Sequence, residues 1–178
     1  EFQARGFPHI HGVLWIDKDT LTENEIHGNI IDNPEFVLKL ANLTLSCSLP
    51  DDDPEINRIV SQVQKHHHTK SCRKTGKSCR FGFPKLPMPK TLVAEPISDD
   101  KTPAEKEVLL QKAKELLSKA VAILEDPATD DSMTFKDFLA KLEVSEDEYI
   151  NYCKITERGK VLLLKRNIKE RFINTYNT

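Results

Sequence analysis

Residues 6–15, Gly-Phe-Pro-His-Ile-His-Gly-Val-Leu-Trp, constrain this chain more than any other stretch. The run is rich in residues that favour strands, and on a strand alternate side chains share a face. His9 and His11 therefore point one way and Ile10 the other. Their Cα atoms lie roughly 6.5 Å apart, two residues of extended chain. Two imidazoles at that separation can converge on one divalent ion and leave coordination positions free for a substrate. Upstream, Glu1-Phe2-Gln3 has the pattern of a short strand and Arg5-Gly6 that of a turn back into the histidine strand. Glu1 and Gln3 share a face of such a hairpin. Gln3, nearer the turn, is the expected oxygen ligand, with Glu1 the alternative on account of its charge.

A second ligand-rich segment runs from His66 to Cys79. His66, His67, His68, Cys72 and Cys79 supply more nitrogen and sulfur donors than a tetrahedral zinc ion requires. Four cysteines interleaved with histidines suggest metal ligation or reduced thiols before a disulfide framework, and so an intracellular compartment. Asp53-Pro54 has the pattern of an N-cap followed by the first helical position. It opens a helix with Ile56, Ile59, Val60 and Val63 on one stripe, which delivers the histidines at its C-terminal end.

The formal net charge of −2 conceals an uneven distribution. Residues 56–94 contain nine Lys and Arg and no Asp or Glu. Neutralised phosphates supply much of nucleic-acid affinity, so a local basic block outweighs the global sum. Lys70, Arg73, Lys74, Lys77, Arg80 and Lys85 are the expected contacts to a DNA backbone, with Phe81 and Phe83 as candidate stacking rings. Acids dominate residues 95–148, and a second basic stretch comes after them with Arg158, Lys160, Lys165, Arg166, Lys169 and Arg171.

Helix signals fill the remainder. Asn33-Pro34 caps a helix through Phe36, Val37, Leu40 and Ala41. Thr102-Pro103-Ala104-Glu105 is a capping box. Its helix carries Val108, Leu109, Leu116, Ala120, Val121 and Leu124. Ser132 or Thr134 opens a helix with Phe135, Phe138, Leu139 and Leu142, and Ser145–Glu148 is a further capping box. The proline-rich residues 84–96 read as a linker between the basic and acidic parts. Apolar runs fall far short of the ~20 residues that cross a bilayer, and no secretory leader pattern is present. No internal repeat, phosphate-binding glycine loop or Ser/Cys hydrolase arrangement appears.

Glu-Phe-Gln-x-Arg-Gly-x-Pro-His-x-His at residues 1–11 resembles the Rep nuclease segment of Helitron rolling-circle transposases. The resemblance continues through residues 64–72 (QKHHHTKSC) and 79–85 (CRFGFPK), then 163–166 (LLKR) and 173–177 (INTYN), in family order. Helitron enzymes are HUH endonucleases, named for histidine-hydrophobe-histidine. The resemblance implies a Mg²⁺- or Mn²⁺-dependent nickase of single-stranded DNA, nuclear, followed in the same polypeptide by a helicase domain. It favours His66, His68, Cys72 and Cys79 as the Zn²⁺ ligands, with Cys47 able to replace one histidine. The family's nucleophilic tyrosine comes after the last of these blocks, so it is expected beyond Thr178 and the isolated chain is expected not to nick DNA. Tyr149 and Tyr152, upstream and among acids, read as one buried and one surface ring of a short helix.

The expected fold is α+β. A small antiparallel sheet carries the His-x-His strand, with packed helices and a zinc-stabilised loop. Residues 1–178 divide into a metal-binding hairpin (1–17), a basic Cys/His segment (54–90), a helical insertion (102–155) and a return to the nuclease core (157–178). The alternative is a zinc-supported, transposon-derived module that binds DNA or protein without catalysis.

Overall fold

The computed structural model describes residues 33–73 and 78–177. Glu1, Gln3, His9, His11, Lys74 and Lys77 lie outside these, as do Gly76 and the hairpin expected over 1–17. The chain divides into two compact units, Glu1–Val37 and Leu38–Thr178. Of the first, residues 33–37 are described and open helix α1, Pro34–Thr44, where the Asn33 Oδ1 accepts from the Phe36 N–H as the sequence signal required.

The second unit is α+β. After α1 come β1 (Leu45–Ser46), α2 (Pro54–Val63), β2 (Leu92–Pro96), α3 (Pro103–Glu125), α4 (Phe135–Leu142), α5 (Glu146–Cys153), β3 (Ile155–Thr156), β4 (Val161–Leu163), a 3₁₀ turn (Ile168–Glu170) and β5 (Tyr176–Asn177). β2 is the centre of a three-stranded mixed sheet, antiparallel to β4 (Leu92↔Leu163) and parallel to β3 (Glu95↔Ile155). β1 and β5 form a separate antiparallel pair, Leu45↔Asn177.

The helices start where the caps require. The Asp53 carboxylate accepts from the Glu55 and Ile56 N–H groups, and the Thr102–Glu105 box closes in both directions. Thr134, not Ser132, caps α4, with Asp137 returning the bond. At α5 only the forward arm of the expected box forms, Glu148 N–H to the Ser145 hydroxyl.

One core holds Leu116, Ala120 and Leu124 of α3, Phe138, Leu139 and Leu142 of α4, and Tyr149, Ile150 and Cys153 of α5. Met88, Leu92 and Ile168 belong to the same core. The helices of 102–155 thus share their interior with the segments on either side of them. The Tyr149 ring meets Phe135 and Phe138 edge-on at 5.7 Å each, an arrangement worth about 0.5–1.5 kcal/mol per pair beyond burial. Its hydroxyl donates to the Pro87 carbonyl at 3.1 Å.

Three expectations need correction. Residues 84–96 are not a linker: Met88, Leu92 and Ala94 are buried, because proline's fixed φ suits extended chain and the apolar residues between the prolines face the core. The α2 stripe is largely exposed. Val60 is buried, but Ile56, Ile59 and Val63 remain open on the surface. Likewise the first turns of α3 project past the core and leave Val108 exposed.

Candidate metal centre

The Cys/His segment is clamped at its base by residues 166–174. On one side Lys65 bridges Ile173, the His66 N–H donates to Phe172 O (2.7 Å) and the Asn174 N–H donates to Gln64 O (2.8 Å). On the other, Met88 and Arg166 exchange both backbone bonds at 2.9 Å, and the Lys85 N–H donates to Arg171 O. Two buried arginines hold this spine. Arg166 donates to the carbonyls of Glu170 (2.5 Å) and Ile173 (2.7 Å). Arg171 donates to those of Leu124, Ile168 and Thr129 and pairs with Asp131. Much of the second basic stretch is therefore occupied by the protein itself, since Lys169 also pairs with Asp51 and Lys160 with Glu95.

From this base the chain runs extended through His66-His67-His68. Extended chain alternates its faces, so His66 and His68 turn inward while His67 is exposed. The two inward rings lie 5.0 Å apart. A turn comes next, with the Cys72 and Arg73 N–H groups bonded to Thr69 O, which brings the Cys72 thiol beneath the histidines. The Arg80 N–H donates to Cys72 O at 2.9 Å and closes the loop that returns Cys79.

One donor atom from each of His66, His68, Cys72 and Cys79 lies within 4.8 Å of every other. Cys79 Sγ is 3.3 Å from His66 Nε2, and Cys72 Sγ is 3.6 Å from His68 Nδ1. With Zn–S near 2.3 Å and Zn–N near 2.05 Å, the edges of a tetrahedron measure roughly 3.3–3.8 Å. The two N–S separations match such edges, and the donor set is that of a two-nitrogen two-sulfur centre able to hold a metal such as zinc. Cys72 and Cys79 are buried with Phe83, and Phe172 packs against this cluster. Cys47, the alternative ligand, does not join them; its thiol donates to Lys165 O at 3.2 Å.

The electrostatics suit metal binding. Burial holds both His66 and His68 below the ordinary imidazole pKa; the neighbouring histidines and cations lower His66 further, and Arg73 lowers His68. The unprotonated nitrogen that a metal needs is thus present at neutral pH. Burial pushes the Cys72 thiol up, but the Thr69 N–H and the Cys79 thiol outweigh it and the net shift is downward.

Outside the four ligands stands a support the sequence did not reveal. The far nitrogen of His68, Nε2, is buried and has no hydrogen-bond partner, and the Glu125 carboxylate stands 4.0 Å from it. Arg73 holds the same oxygen at 2.7 Å. A carboxylate behind a metal-bound imidazole fixes its tautomer and strengthens it as a ligand. Glu125 lies 52 residues from Arg73 in sequence, so no local spacing could have marked it. On the opposite side Phe83 stacks flat on His66, at 4.3 Å and 7°.

Of the expected DNA contacts, Lys70 and Arg80 are exposed. Arg73 faces Glu125, and the Lys85 ammonium donates to Phe81 O at 2.8 Å. Tyr149 is fully buried and burial drives its phenol far above the ordinary range, while Tyr152 is half-buried. No protein-family model, no curated protein and no solved structure matches this chain.

Proposed function

We propose that this chain is the metal-binding part of a single-stranded DNA nickase of the Helitron type, built around a structural zinc ion. The observation that carries the reading is the convergence of His66, His68, Cys72 and Cys79, whose donor atoms lie within 4.8 Å of one another. These four residues fall in the consecutive blocks 64–72 and 79–85 of the Helitron-like pattern, whose spacing favours them as ligands. In this reading Zn²⁺ holds the basic loop, and the exposed Lys70 and Arg80, with Lys74 and Lys77, are the cations offered to the strand's phosphates.

Catalysis would rest on His9, His11 and Gln3, or Glu1 in its place, as ligands of Mg²⁺ or Mn²⁺. A divalent ion held there withdraws charge from the scissile phosphate. The attacking group is a tyrosine other than Tyr149, whose buried hydroxyl is bonded to Pro87 O. A phenol as nucleophile removes the need for metal-bound hydroxide. The partners are single-stranded DNA and a helicase domain of the same polypeptide, in the nucleus.

The test is nicking of a single-stranded oligonucleotide by a polypeptide that joins this chain to a tyrosine-bearing helix of the Helitron type. Changing His9 and His11 together to Ala should abolish nicking and spare DNA binding; cleavage at the wild-type rate would overturn the assignment. A second reading, a zinc-supported DNA- or protein-binding module without catalysis, needs only the four-ligand centre. Calorimetric Mn²⁺ titration of zinc-loaded protein separates the two, since only the nickase reading expects a second site that His9→Ala and His11→Ala remove.

A further inference from the structure

The two phenylalanines of the basic segment have opposite fates. Phe83 is 4% exposed and stacked on His66, whereas Phe81 is 50% exposed. A tight turn causes the difference. The Gly82 N–H donates to Cys79 O at 2.9 Å, which places Arg80 and Phe81 at the corners of a four-residue turn, and both are exposed. Gly82 has φ +66°, a conformation that glycine adopts without strain.

This exposed ring is held from several directions. Its turn begins at Cys79, one of the four zinc donors. Lys85 clamps the Phe81 carbonyl, His66 meets the ring edge-on at 5.8 Å, and the Arg80 guanidinium lies over it at 4.6 Å. A flat ring layered with a guanidinium, in a stretch free of acids, is the surface on which an unpaired base stacks.

We infer that Phe81, layered with Arg80 at the turn after Cys79, is a base-stacking platform for single-stranded nucleic acid, set in place by the metal centre. The inference rests on the DNA-binding side of the function proposed above. It adds a binding mode: one base held by its face, without reading of its edge, and hence tolerance of sequence. Because Cys79 anchors the turn, zinc binding and strand binding are coupled.

The experiment is fluorescence anisotropy of a labelled oligothymidylate with the zinc-loaded chain, at one salt concentration and then as a salt series. Stacking of one base on an aromatic contributes about 1–3 kcal/mol, so Phe81→Leu should weaken binding by roughly 5- to 150-fold. The slope of affinity against salt should stay as in the wild type, since no charge is removed. Phe81→Trp should restore or strengthen binding, and a duplex of the same length should not distinguish the variants. Zinc content and thermal midpoint, measured for each variant, report that the site is intact.

Wild-type affinity in Phe81→Leu with zinc retained overturns the platform and leaves the nickase reading standing. A ring-dependent affinity in a protein that never nicks has the opposite meaning. A wild-type chain with no affinity for single strands overturns both.

Discussion

The carboxylate behind His68 gives the sharpest test of the metal centre, because two effects at Glu125 have opposite signs. Glu125 is the last residue of α3, and no basic residue occupies that turn. A negative charge at a helix C-terminus faces the negative end of the macrodipole, a cost of about 0.3–1 kcal/mol. If Glu125 did nothing else, Glu125→Gln would leave the protein slightly more stable. The position of the carboxylate says otherwise. At 4.0 Å it is beyond hydrogen-bond range of His68 Nε2, but within a small side-chain movement of it.

Metal bound at Nδ1 polarises the Nε2–H, and a hydrogen bond from it to a carboxylate contributes about 1.5–3 kcal/mol. The upper end is out of reach here, because Arg73 already shares the acceptor oxygen and 29% of the Glu125 side chain is open to water. About 1.5–2 kcal/mol remains, a ten- to thirtyfold loss of zinc affinity in Glu125→Gln. The assay is competition for Zn²⁺ against a chromophoric chelator, alongside urea unfolding of the metal-free protein. The expected pair is a weaker zinc affinity with unchanged or raised metal-free stability. Zinc affinity within twofold of wild type would refute the role given to Glu125.

The helical core supports three more tests. Burial pushes the Cys153 thiol up to about 11, so the folded state keeps a proton that the unfolded chain loses near pH 9. Stability should be level below pH 9 and fall by about 2–3 kcal/mol as pH rises through 11; Cys153→Ala should reduce that slope in urea titrations at pH 8 and 10. Tyr149→Phe leaves the Pro87 carbonyl without its donor inside the core, and chemical denaturation should show a loss of about 1–3 kcal/mol. Glu143 ends α4 with φ 58°, a left-handed position usually given to glycine. Glu143→Gly should therefore raise the unfolding free energy by about 0.5–1 kcal/mol; a lower thermal midpoint would contradict this.

Capping chemistry was legible because it is local. Asn33, Asp53, Thr102 and Thr134 each begin a helix through bonds to atoms two or three residues away. Residues 84–96 were misread because proline content says only that a segment is extended, and an extended segment can be a linker or a central strand. The decision belongs to Met88, Leu92 and Ala94, and the first two are buried against helices up to sixty residues further along. The burial of Arg166 and Arg171, two members of the second basic stretch, was illegible for the same reason. A guanidinium has five donors, and a segment with several unpaired carbonyls can absorb it in the interior. Nothing local distinguishes that arginine from one that meets phosphate.

The chain carries the histidine-x-histidine pattern twice, and the two pairs differ in ways that bear on what each metal does. At residues 66 and 68 the extended backbone does turn both imidazoles to one side, the behaviour argued for residues 9 and 11. The company each pair keeps is different. His66 and His68 are joined by two thiols, and the four donors leave no coordination position for a substrate. Soft sulfur also selects zinc over magnesium. His9 and His11 have Glu1 and Gln3 nearby in sequence, harder oxygen donors, and a three-ligand set leaves positions open. A closed site stabilises a fold and an open one polarises a substrate. On the proposed reading, structure falls to the second pair and chemistry to the first. Gln3→Cys would test that division: it should draw Zn²⁺ into the first site, and Mn²⁺-dependent nicking by the full polypeptide should fall while the second site keeps its metal.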